Sequence, residues 1–142
     1  MISKILVPVD GSSHADLAAE KAVEIAEKFN ARVTFYHVIF PPSRYMVVDI
    51  PPDFFQNLLD EMEKQGQNLL ARYVEKYQGR VSVSSLIDFG HPADMICRRA
   101  EEDKYDMIVI GTRGLGAIKG YLLGSVSDRV SHHARVSVLI VK

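Results

Sequence analysis

Apolar positions along the chain alternate between two rhythms. Short runs with strand character, Ile2 to Val9, Val33 to Ile39, Val81 to Ile87, Met107 to Ile110 and Val136 to Val141, are separated by stretches in which apolar residues recur every three or four positions. The first such stretch carries Ala15, Ala18, Ala19, Ala22, Ile25, Ala26 and Phe29, a stripe of mostly alanine that lets a helix pack close to a sheet, and Asn30 stops it. Ser12 or Ser13 can cap its start. The second begins at Phe54 and holds Phe55, Leu58, Leu59, Met62, Leu69, Leu70, Tyr73 and Tyr77 on one stripe, interrupted by Gly66. Its methionine and aromatics read as core. The third opens at Pro92, buries Ala93, Ile96, Cys97 and Ala100, and ends in the charged, solvated run Glu101 to Lys104. The fourth runs from about Leu122 to Ala134.

Five strands with four intervening helices predict an α/β fold, an open parallel sheet with helices on both faces. The expected strand order is 3-2-1-4-5, Rossmann-like, with residues 1–142 as a single domain. In the second strand Val33, Phe35 and His37 fall on one face and Thr34, Tyr36 and Val38 on the other. The third strand is less apolar and belongs at an edge, and Asp88 to Pro92 reads as a turn. Pro41-Pro42 and Pro51-Pro52 make residues 40–53 a loop, either a plain exposed connection or a lid from which Arg44 and Tyr45 reach a ligand.

Composition narrows the class. The chain has 142 residues, 47% hydrophobic and 25% charged, with a net charge of −1, which argues against a nucleic-acid surface. No apolar run approaches the ~20 residues of a membrane span, no signal-peptide pattern opens the chain, and Cys97 is the only cysteine. The expectation is a cytoplasmic protein without disulfides or a cysteine metal cluster.

The candidate chemistry gathers after the fourth strand. Gly111-Thr112-Arg113-Gly114 leads, nine residues on, to Gly124-Ser125 at the start of a helix. Glycines here let the backbone turn and approach a ligand, and a helix N-terminus favours an anion. Arg113 and Lys119 add positive charge. The pattern is not a Walker loop, which needs Gly-Lys-Ser/Thr after a four-residue gap, and Lys119 stands where a dinucleotide fingerprint would have its third glycine. A strand order reversing between the first and fourth strands would set Pro8, Val9 and Asp10 opposite Gly111 to Gly116, in one crevice at the carboxyl ends of the strands.

The spacing Gly-two-Gly-nine-Gly-Ser resembles that of the universal stress protein family, in which it marks the members that bind ATP. The resemblance covers the whole chain, including Val7 to Ser12, His37-Val38 and Gly90-His91-Pro92-Ala93, with Ser137 where the family often has proline. It implies an adenine nucleotide alpha hydrolase-like fold and an ATP site. Pro8 and Val9 would lie beside the base, Asp10 near the adenosine, and Val38 against the adenine through its backbone. Ile110, Gly111, Thr112, Arg113, Gly114, Leu115 and Gly116 would wrap ribose and phosphates. Gly124, Ser125 and Val126 would hold the outer phosphates through N–H groups and a hydroxyl. It further implies ATP taken up with Mg2+ or Mn2+, a nucleotide-dependent regulatory role in stress response, and a homodimer.

Other readings compete. Asp10, Asp88 and Lys142 superficially fit a receiver-type phospho-acceptor domain, though Val9 and Gly11 deny Asp10 its acidic neighbour. An adenylate-forming or phosphotransfer enzyme would need a second acidic cluster or a substrate domain. No general base or nucleophile stands out, so catalysis would be at most slow hydrolysis or autophosphorylation on Ser125 or Ser127. Asp10 and Ser125 also suit helix caps. His132 and His133 point about 100° apart and cannot share a metal ion, so they read as a helix end. His37 and His91 read as structural, and Cys97 as a small buried hydrophobe. Val136 to Val141 is an apolar edge strand that pairing with a second copy would cover.

Overall fold

Strand β1 (Lys4–Pro8) is the axis of a five-stranded parallel sheet whose order is β3-β2-β1-β4-β5. The structure, a computed structural model, describes residues 1–43, 49–113 and 124–142. On one side of β1 lie β2 (Arg32–Ile39) and then β3 (Ser82–Phe89), and on the other β4 (Met107–Gly111) and then β5 (Ser137–Val141). Ile5, Leu6, Val7, Ile108 and Val109 are completely buried, as continuous apolar runs in the middle of a parallel sheet must be.

Helices α1 (Ser13–Phe29) and α2 (Pro52–Tyr77) cover one face, packing on Ile5, Val7, Val33, Phe35 and Val109. Helices α3 (Pro92–Glu102) and α4 (Ser125–His133) cover the other, packing on Leu6, Tyr36, Ile108 and Ile110. The expected α/β class, strand order and edge position of β3 are all observed.

Local chemistry fixes the elements. Ser12 is the cap of α1, its hydroxyl accepting from the Ala15 amide at 3.2 Å, and Asn30 ends the helix in the left-handed conformation at φ 55°. The alanine stripe is buried as expected, but Phe29, the last residue of the helix, is 49% exposed. Helix α2 begins at Pro52 rather than Phe54, with proline in its first turn. Its 26 residues span about 39 Å. The 8-residue strands beneath it span only about 26 Å. The helix therefore overhangs: Leu70, Tyr73 and Tyr77 are buried, whereas Phe55, Leu58, Leu59 and Met62 are half-buried and Phe54 is exposed.

Strand β3 runs on to Phe89, so Asp88 lies in the ladder opposite Val38 rather than in a turn. The charged end of α3 is more than a solvated run, since Asp103 accepts from Arg99 and its carbonyl from Lys4. Cys97 is half-buried, with burial pushing its thiol pKa up. Arg44 and Tyr45 lie outside the described residues. No helix among the described residues is long and apolar enough to cross a membrane.

Candidate functional site

Strand order reverses between β1 and β4, and there, at their carboxyl ends, a cavity of about 240 Å3 opens. Pro8, Val9 and Asp10 form the side that follows β1, while Ile110, Gly111 and Arg113 form the side that follows β4. Val38 contributes from β2. Gly124, Ser125 and Val126 close one end with the start of α4. Ten of the predicted site residues thus meet in one crevice, although they come from four separated stretches of sequence. Gly114, Leu115 and Gly116, with Lys119, lie outside the described residues.

Among the described residues, Thr112 is the predicted one that does not line the cavity. It is 4% exposed, its amide donates to the Val141 carbonyl at 3.1 Å, and its own carbonyl accepts from the Gly124 amide and from Ser127 Oγ at 3.0 Å. It ties the end of β4 to β5 and to the start of α4. Gly124 is held there by close approach, since a Cβ would stand 2.9 Å from the Thr112 oxygen. Its N–H donates to the Thr112 carbonyl. The amides of Ser125, Val126 and Ser127 open the helix without an intrahelical acceptor ahead of them. Gly124 caps α4 without a side-chain hydrogen bond. Ser125, Val126 and Ser127 line the cavity, and Ser125 is exposed, at a helix start whose dipole favours negative charge. Ser127 is 2% exposed and its hydroxyl donates to the Thr112 and Gly124 carbonyls, bracing the turn into α4.

Part of the cavity lining is apolar. Pro92 and Ile96 of α3, Ala15 of α1 and Tyr36 of β2 line the cavity in addition to the predicted residues, as does His37. Tyr36 is completely buried and its hydroxyl donates to Asp88 Oδ2 at 2.7 Å. Arg99 grips the same carboxylate with Nε at 2.8 Å and Nη2 at 3.1 Å. The Arg99 hydrogen bonds hold the Asp88 carboxyl below the usual carboxylate range, while burial pushes the Tyr36 phenol well above its ordinary value. Asp88 also stands on β3, separated from β1 by β2. With both oxygens engaged and no place beside Asp10, it does not form a receiver-type acidic site. Asp10 accepts the Ser12 amide through Oδ1 at 3.0 Å, shaping the turn into α1, while the cap itself is Ser12.

A divalent cation would find Asp10 as the carboxylate of this cavity, and no group of three metal-ligating side chains occurs among the described residues. That donor set suits a cation carried in on phosphate oxygens with its waters, the manner in which Mg2+ is usually held. His132 and His133 are exposed, each turned back onto a carbonyl of its own helix, Asp128 at 2.8 Å and Arg129 at 2.9 Å.

The sequence marked Pro92 only as a helix start and Ile96 only as a periodic core position, and nothing local shows that either also borders a ligand space. Tyr36 was separable in principle, because strand alternation puts it on the same face as Val38.

The model of the universal stress protein family matches residues 1–142. Universal stress protein YxiE of Bacillus subtilis (strain 168) is 32% identical over 148 residues, covering 100% of both chains. Universal stress protein UspA from Lactobacillus plantarum superposes with a TM-score of 0.86 at 25% identity, over 99% of this chain and 97% of that one. A universal stress protein solved in complex with cAMP gives a TM-score of 0.74 at 30% identity, over 99% of this chain and 97% of that one. The sheet order and helix layers are those of the adenine nucleotide alpha hydrolase-like fold. Matched from its first residue to its last, the chain belongs to the universal stress protein family.

Proposed function

We propose that this protein binds ATP in the crevice between β1 and β4 and acts as a nucleotide-dependent regulatory module in the cytoplasm. The observation that carries this reading is the mixed chemistry of the cavity lining. It includes Pro8, Tyr36, Pro92, Ile96 and Ile110, which suit a flat apolar base. It also includes the first turn of α4 and Arg113, which suit phosphates. A related chain of the same fold was solved with cAMP, which supports an adenine nucleotide as the ligand class. Mg2+ or Mn2+ would enter with the phosphates, near Asp10. The protein works as a homodimer through β5, and nucleotide occupancy alters its partners or its dimer state.

The test is calorimetric titration of nucleotide-stripped protein with ATP, with and without magnesium, repeated on Gly124→Val. Saturable binding that the variant loses, with circular dichroism unchanged, supports the reading. Failure of the unmutated protein to bind ATP, ADP or AMP refutes it.

A further inference from the structure

We propose that His37 is a positioning residue of this cavity: its imidazole holds the Val9 carbonyl in place, and the missing side chain of Gly66 gives the ring the room to do so. The inference rests on the nucleotide-binding reading above and adds to it a residue outside the glycine spacing.

Strand β1 ends at Pro8, the last position paired with β2. Val9 lies one residue beyond the ladder, between Pro8 and Asp10, and all three line the cavity. Two contacts fix Val9 there. Its amide donates to the Tyr36 carbonyl at 2.8 Å, and its carbonyl lies 2.7 Å from His37 Nδ1. A carbonyl only accepts, so Nδ1 carries the proton in this bond. The side chain of His37 thus holds the backbone just where the sheet stops. The residue it holds is 4% exposed and flanked by the two others on which that side of the cavity depends.

The back of the ring meets α2 at Gly66. A Cβ there would stand 2.9 Å from His37 Cδ2 and 2.7 Å from Ile87 Cδ1. Ile87 could swing its terminal methyl aside, but the imidazole is tied to Val9 and cannot yield without loosening that bond. Glycine in the middle of a 26-residue helix is otherwise unfavourable. Its presence at this contact is explained by the ring. The geometry links α2 to the cavity wall through a single side chain.

The test compares His37→Leu, His37→Asn and Gly66→Ala with the unmutated protein. An asparagine amide nitrogen sits as many bonds from Cβ as Nδ1 does, so it can restore the donor, whereas leucine cannot. A net hydrogen bond of the usual strength predicts ATP affinity falling up to about tenfold in His37→Leu and Gly66→Ala, and within about threefold of unmutated in His37→Asn. In the ligand-free protein, hydrogen exchange at the Val9 amide should accelerate in the leucine and alanine variants and be rescued in the asparagine one. Equal losses in leucine and asparagine, or no change in either measurement, would overturn the proposal. A long-range 1H–15N spectrum of the unmutated protein needs no variant, and a proton on Nε2 alone would also overturn it. If the unmutated protein takes up no ATP, the nucleotide reading fails separately, and the exchange rates alone then uphold or overturn the hold on Val9.

Discussion

Gly111 lies against the main chain of His14: a Cβ on Gly111 would stand 2.6 Å from the His14 carbonyl oxygen and 2.7 Å from its carbonyl carbon. The neighbour is backbone in the first turn of α1, so no rotamer change relieves the contact. Gly111→Ala is expected to push β4 and α1 apart and to cost about 1–3 kcal/mol, the usual range for overpacking. Urea unfolding would show it as a lower midpoint at unchanged slope. A stability equal to the unmutated protein's would mean that the two elements separate freely here.

That contact shows what the sequence could and could not say. The glycine spacing reads as backbone approaching a ligand, and Gly111 does line the cavity. The approach that forbids a side chain is nevertheless internal, to His14 at Gly111 and to Thr112 at Gly124. A spacing motif records that a Cβ is excluded, not which atoms exclude it. Thr112 illustrates the same point, since its place in the motif says ligand while its hydrogen bonds tie β4 to β5 and α4. The fold was more legible. Strand and helix periods differ, and the serine-rich face of β3 marked it as an edge. Helix α2 was readable in its buried second half, but its exposed first half depends on the length of strands elsewhere in the chain.

Asp88 predicts an acid dependence. Its carboxyl pKa is lowered first by the Arg99 hydrogen bonds, and the two side chains are 20% and 32% exposed. A depressed folded-state value means that the stabilisation is complete above the ordinary aspartate value, about 3.9, and fades as pH falls through the lower folded value. Asp88→Asn removes the counter-charge of the part-buried Arg99 guanidinium and should cost about 1–3 kcal/mol near neutral pH. Urea midpoints of the two proteins should converge as the pH is lowered. A gap that stays constant down to acid unfolding would assign the loss to shape rather than charge. Because the Tyr36 hydroxyl donates to the same carboxylate, the variant should also loosen the cavity wall and weaken ATP.

The aromatic layer under α2 separates packing from hydrogen bonding. Phe35 stacks on Tyr73 and on Tyr77, with ring centroids 5.1 and 5.6 Å apart. The Tyr77 hydroxyl donates to Glu20 at 2.9 Å, but Glu20 also holds Arg80 at 2.7 Å. Tyr77→Phe therefore leaves Glu20 with a partner and should cost only about 0.5–1.5 kcal/mol. Tyr77→Ala opens a cavity beside Phe35 at a position 1% exposed, and should cost about 3–5 kcal/mol. Thermal unfolding by circular dichroism ranks the two. Equal losses would make the hydroxyl, not the ring, the principal anchor of α2.

Strand β5 carries the argument for a second copy. Val138 and Ile140 pack toward α3 and α4, Leu139 and Val141 toward α1, yet all four are only half-buried, whereas Ile108 and Val109 of the adjoining strand are completely so. The strand pairs with β4 on one side, and its other edge is the margin of the sheet. An apolar edge of this kind invites further pairing. A twofold pairing of β5 with itself would complete the ladder and shield both rows of side chains at once. Light scattering after size exclusion should then give twice the mass of one chain. Ile140→Lys sets a charge on each strand at the seam and should shift the protein toward monomer while its melting curve stays cooperative. Elution of the unmutated protein as a strict monomer at micromolar concentration would rule the dimer out, and β5 would then have to tolerate its exposure alone.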